Sequence, residues 1–216
     1  PSMNAWDSVP TGPSARFGAS SFSIGNTGYV VGGLTNDISG TLCTDLWSYD
    51  DVNGWLQKAG FPGAGRHSGT AFAIGNYGYY GTGWEANGPL NDFYKYDAMN
   101  DSWSNTAIIF PGQPRGGAVS FVISEEAFVG HGGYCDHYNN FYVFDALNGT
   151  FLFAPLSDTL PEARIGAFAT AIGNKGYVVG GGLSNLFLTP ETWEWSTSIT
   201  TGFSPIEQNT SSAIAI

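Results

Sequence analysis

An all-β chain of repeated four-stranded sheets is what this sequence predicts, on three observations. Arg16, Arg66, Arg115 and Arg164 recur every 49 or 50 residues, each with a proline within four residues upstream. After each arginine come a small, apolar stretch, a Gly-Tyr-Val-Val-Gly-Gly-like stretch, and an aromatic-x-aromatic segment next to an acid or its stand-in. Glycine, 31 of 216 residues, is about twice its usual share of roughly 7% and lacks a three-residue period. That excess belongs in tight turns between short strands. A unit near fifty residues that holds four short strands cannot bury its faces alone, so the copies must stack, and a propeller with one blade per repeat is expected.

Taken in order, the first repeat has an apolar alternation over residues 18–24, a Gly25-Asn26-Thr27-Gly28 turn, a strand over 28–33, a third over 45–50 carrying Trp47 and Tyr49, and a fourth starting at Trp55. Period-two alternation bounded by Gly and Asn is the strand and hairpin signal. These are strands a, b, c and d. The second repeat repeats them at 69–74, 78–83, 92–97 and Trp103; the third at 117–123, 127–133, 141–145 and Phe151; the fourth at 166–172, 176–182 and 191–196. Pro1 to Trp6 aligns with Ala98 to Trp103, so residues 1–15 are expected to supply strand d of a preceding or closing blade. Residues 204–216 carry no Trp, double glycine or recognisable repeat.

Hydrophobic residues make up 42% and aromatics 15%, which excludes a disordered chain. Seven basic against eighteen acidic residues give a net charge of −11, a field that repels phosphate backbones and argues against nucleic acid. No apolar run reaches the roughly 18 residues that cross a bilayer, so membrane insertion is not expected. Cys43 and Cys135 fall on different repeats, and no disulfide between them is expected.

The double glycines at Gly32-Gly33, Gly132-Gly133 and Gly181-Gly182, broken to Gly81-Thr82-Gly83 in the second copy, the following Tyr49, Tyr96 or Phe144, and the later Trp55 and Trp103 resemble the Kelch repeat over nearly the whole chain. The resemblance implies a Kelch β-propeller with four recognisable blades, starting near 16, 66, 115 and 164 and ending near 203, as the C-terminal part of a larger propeller. It also implies that strand a lines the channel and that the d–a and b–c loops share one face. Gly-Asn-x-Gly-Tyr between strands a and b, together with the Ser204 to Ile216 tail, is similar to bacterial, Bacteroidota-type surface proteins exported by the type IX secretion system. That likeness implies a secreted or cell-surface setting, with 204–216 as a linker towards a sorting domain and the translocon as a possible partner through the C-terminal side.

The four arginines sit at the d–a turn, where a guanidinium can bond the carbonyls of a neighbouring loop; the alternative is a ring around the channel mouth that grips acidic partners. The b–c loops vary most between copies and carry Trp84, Tyr134, Tyr138 and Phe187, aromatic groups suited to anchoring a protein or stacking on a glycan. His131, Cys135 and His137 are the one His/Cys cluster, a weak metal candidate because their spacing matches no zinc signature. There is no nucleophile elbow, phosphate loop or zinc-protease helix, and the adjacent acids at Asp50-Asp51 and Glu125-Glu126 diverge. The expectation is therefore a non-enzymatic recognition or adhesion module without a cofactor. A sugar-processing propeller enzyme of mutarotase or oxidase type, or an intracellular or oligomeric scaffold, is the alternative.

Overall fold

The computed structural model describes residues 8–35, 40–154, 162–183 and 187–196, together with the backbone of Ser204–Pro205. Four antiparallel sheets follow one another along the chain, each in the order a-b-c-d. The first blade is Ser20–Ile24, Thr27–Val31, Leu46–Asp50 and Gly54–Lys58. The second is Thr70–Ile74, Tyr77–Gly81, Asp92–Asp97 and Ser102–Trp103, with Ile108–Ile109 also paired to its strand c. The third is Val119–Ile123, Glu126–Gly130, Phe141–Asp145 and Thr150–Phe153. The fourth is Phe168–Ile172, Lys175–Val179, Thr192–Ser196 and Ser204–Pro205.

The linker expected from 204 onwards therefore begins with a pair of residues in the fourth sheet, Ser204 opposite Glu194 and Pro205 opposite Trp193. The rest of that segment, and the strand expected at Trp6, lie outside the described residues.

Stacking follows the small-against-large logic of the repeat. Phe22 of strand a stacks on Tyr29 of strand b (4.9 Å, 6°), and both bury against the next blade, where Gly78 leaves room for the Phe22 ring. Phe72 on Tyr79 and Phe121 on Phe128 repeat the arrangement, the latter over Gly176. Each such interface removes several aromatic rings from water, at about 25 cal/mol per Å² of apolar surface.

The innermost strands line a central cavity of about 220 Å³ that includes Ser20, Thr70, Val119 and Phe168. Hydroxyls stitch the blades together around it: Ser20 donates to the Gly69 carbonyl (2.8 Å) and Ser120 to that of Ala71 (2.9 Å). In the fourth blade Phe168 and Ile172 are exposed, whereas Ile74 and Ile123, at the position of Ile172, are buried.

The glycines expected to open the innermost strands turn out to precede them. Residues 18, 68, 117 and 166 hold φ between 52° and 65°, outside the extended range, so strand a starts two residues later. Three of these are glycine, which accepts that conformation without strain, and the second copy uses Ser68 rather than Gly69. Their backbones form a chain across the repeats: Ser68 N–H to Gly18 carbonyl, Gly117 N–H to Ser68 carbonyl, Gly166 N–H to Gly117 carbonyl.

Candidate binding face

The d–a turn and the b–c loop of each repeat pair with one another, which puts both on one face. Phe17 lies opposite Leu34, Gly116 opposite Gly133, and Ile165 opposite Gly182 in short antiparallel pairs; His67 and Trp84 exchange backbone hydrogen bonds.

The arginines hold that face together from inside. In all four repeats Nε–H donates to the carbonyl two residues before it (Ser14, Ala64, Gln113, Glu162; 2.9–3.1 Å). In all four, Nη1 donates to the carbonyl sixteen residues after it (Gly32, Thr82, His131, Gly180; 3.0–3.1 Å). A third partner sits at the start of strand c: Asp45 for Arg16, Asp92 for Arg66, Asn140 for Arg115 and Glu191 for Arg164. The arginine carbonyl then accepts from the following glycine of the preceding repeat, Gly33 to Arg66, Gly83 to Arg115 and Gly132 to Arg164, each 2.8 Å. Arg66, Arg115 and Arg164 are fully buried and the Arg16 side chain nearly so. A ring of arginines at the channel mouth, the alternative reading, is thus not what the fold builds. The guanidinium groups are directed into their own repeats because buried charge must be hydrogen-bonded.

This network also corrects the register of the double glycines. The residue whose carbonyl the arginine reads has a left-handed backbone, φ 67° at Gly32, 52° at Thr82, 54° at His131 and 65° at Gly180. The pair in the third repeat is therefore His131-Gly132, and in the fourth Gly180-Gly181, one residue earlier than the sequence suggested. His131 occupies a glycine position. Its Nδ1 lies 3.1 Å from the Tyr138 carbonyl, so that nitrogen carries the proton, and burial pushes its pKa down to about 3. Cys135 is exposed, Cys43 is buried and no disulfide joins them. Among the described residues no group of three or more His, Cys, Asp or Glu is placed to hold a metal.

Of the loop aromatics, Trp84 and Tyr134 come together. Their rings, from the second and third repeats, lie 5.1 Å apart, and Tyr134 is 55% exposed. Gly116 makes this possible. It stands where Phe17, His67 and Ile165 stand in the other repeats, and a Cβ there would land on the Trp84 indole. Phe17, also 55% exposed, meets His67 at 5.8 Å, which extends the rim towards the first repeat. Sequence reading passed over Phe17, His67 and Gly116, although the residue after each arginine was there to compare. Phe187 is exposed in the fourth b–c loop. Tyr138 is half buried, its ring over the Arg115 guanidinium at 4.4 Å, so it serves the frame more than the surface.

Four stacked antiparallel blades with variable loops on one face define a β-propeller. The chain belongs to the KLHDC2/KLHL20/DRC7 Kelch-repeats domain family, whose model matches residues 2–182. Kelch propellers are common protein-interaction scaffolds. A solved structure described as "Structure of YjhT" is similar at a TM-score of 0.76 and 21% identity, covering 94% of this chain and 69% of that one. At that identity the likeness speaks for the fold. No curated protein matches the chain.

Proposed function

We propose that this propeller is a non-enzymatic recognition module that binds a protein partner through the rim formed by Trp84 and Tyr134, with Phe17 beside it. The observation that carries this reading is the Trp84–Tyr134 pair. Two aromatic rings from different repeats meet at the loop face, one half exposed, on a floor kept clear by Gly116. Clustered Trp and Tyr on a rigid frame are the residues that dominate binding energy at protein interfaces. Affinity capture with the purified protein, followed by identification of what is retained, tests it. Replacing Trp84 and Tyr134 by Ala should weaken the captured partner by more than tenfold, and Gly116→Ala should do the same by displacing the indole while leaving its chemistry intact. Retention of a glycan in place of protein would change the partner class. Unaltered binding by all three variants, or turnover of a sugar by the purified protein, would overturn the reading.

We extend the proposal to location: an exported protein at the cell surface, cargo of a type IX-like route. Its support is the Ser204 to Ile216 likeness to a sorting-domain linker and the acidic, lysine-poor composition. Fractionation of the producing cells decides it, since recovery with the cytoplasm would sink it.

A further inference from the structure

The third repeat departs from the other three at one station. Asp45, Asp92 and Glu191 each place carboxylate oxygen on the second guanidinium nitrogen, Nη2, at 2.8–3.1 Å. Asn140 offers Arg115 one oxygen, taken by Nη1 at 2.8 Å, and its other terminal atom is itself a donor. Arg115 Nη2 is left buried with no hydrogen-bond partner. Three of the four such side-chain atoms among the described residues belong to this repeat: Arg115 Nη2, His131 Nε2 and His137 Nδ1.

The charge is uncompensated as well. Burial lowers the Arg115 pKa to about 10, and the other groups that act on it are the Tyr142 and Tyr138 phenols, with no carboxylate among them. A buried guanidinium with an open donor is costly unless something anionic completes it.

We propose that Arg115 and Asn140 form a carboxylate-binding site, in which a carboxylate from outside the chain, beside the Asn140 amide, gives Nη2 the oxygen that Asp45, Asp92 and Glu191 give it in the other repeats. In the sister repeats the acid side chains at this station stay 24%, 21% and 48% exposed while their arginines are buried, so the equivalent station of the third repeat lies near the surface, beneath the Tyr138 ring. A carboxylate fits better than a spherical anion because the sister stations bind one through the planar fork, Arg16 to Asp45 at 2.6 and 2.8 Å. One of its oxygens would accept from Nη2, and the Asn140 amide donates beside it. Entry requires the Tyr138 ring, half buried over the guanidinium, to shift outward. The net charge of −11 works against anions at long range, but that field is screened beyond about 8 Å in physiological salt. The site adjoins the Trp84–Tyr134 rim, since Arg115 directly precedes Gly116, but it stands whether or not the rim binds protein.

Thermal unfolding in sodium acetate against sodium chloride of equal ionic strength tests it. Ligand binding to the folded state alone raises Tm, and a rise of about 2–4 °C specific to acetate is expected for the wild-type chain. Asn140→Asp supplies the missing acid internally: it should melt higher in chloride and lose the acetate-specific rise. Asn140→Ser keeps Arg115 open and should retain that rise, which separates loss of the site from general damage. A blocked peptide with one glutamate, compared with its glutamine counterpart, then distinguishes side-chain carboxylates of a partner from free small acids. Absence of an acetate-specific rise in the wild type, or an equal rise in Asn140→Asp, would overturn the proposal.

Discussion

The second and third repeats bury the same guanidinium in the same backbone bonds. Arg66 donates to the carbonyls of Ala64 and Thr82, and Arg115 to those of Gln113 and His131. Each also lies against a phenylalanine five residues upstream, Phe61 or Phe110, at 4.9 Å. What differs is the side chain at the start of strand c: Asp92 accepts from both terminal nitrogens of Arg66, whereas Asn140 accepts only from Nη1 of Arg115. The backbone contacts are common to all four repeats and define the blade. The side-chain acid neutralises the charge and can be exchanged, so one station can depart from the rest without loss of the fold.

The strongest way to break this comparison is to remove the guanidinium. Arg66→Ala leaves Asp92 and the carbonyls of Ala64 and Thr82, the latter buried, without their donor, and a loss of about 3–5 kcal/mol in urea unfolding is expected. A loss below about 1 kcal/mol would mean that the arginine only decorates the turn. A milder change makes the second repeat resemble the third: Asp92→Asn keeps one oxygen on Arg66 and orphans Nη2, at an expected cost of about 1–3 kcal/mol.

The histidine at the left-handed position offers a pH test. His131 is pushed down to about 3 in the folded protein, against about 6.5 when unfolded. Between these values the unfolded chain binds the extra proton. The stability from keeping His131 neutral is therefore complete above pH 6.5 and falls as pH drops towards 3, by up to ~1.4 kcal/mol per pH unit. His131→Asn, which suits a positive φ and does not titrate, should flatten the stability profile between pH 7 and 5 relative to the wild type. His67, also lowered by burial, contributes equally to both proteins. Identical profiles would rule out His131 as the source of acid sensitivity.

The smallest effect belongs to Thr82, which holds φ 52° with a buried hydroxyl lacking a partner. Thr82→Gly brings the second repeat to the glycine found at Gly32 and Gly180, and a gain of about 1 kcal/mol is expected in the same unfolding measurement. Destabilisation instead would show that the Thr82 methyl packing outweighs the strain.

Much of the blade plan was legible because it is written locally. The alternation of strand a and the Gly-Asn turns each act within a few residues, the arginine period counts the copies, and every one of them appears in the fold. The candidate face was legible only in part. Trp84 and Tyr134 could be named as loop aromatics, but their contact depends on Gly116, which is remote in sequence from one and lies across a blade boundary from it. Tyr138 looked like its neighbours in sequence, yet the Arg115 guanidinium beneath it makes it part of the frame.

By itself the sequence determined the repeat and the four-stranded blade, because short-range periodicity and turn chemistry suffice to specify them, while the shared loop face was legible only through the resemblance to the Kelch repeat. Tertiary structure alone decided which direction the arginines face, since burial and hydrogen-bond partners come from carbonyls sixteen residues away and from strand c of the same repeat. It also decided that Asn140 stands at an acid's station. That position is 25 residues from Arg115 where its counterparts lie 26, 27 and 29 from theirs, and loops of unequal length hide the correspondence until the strands are paired.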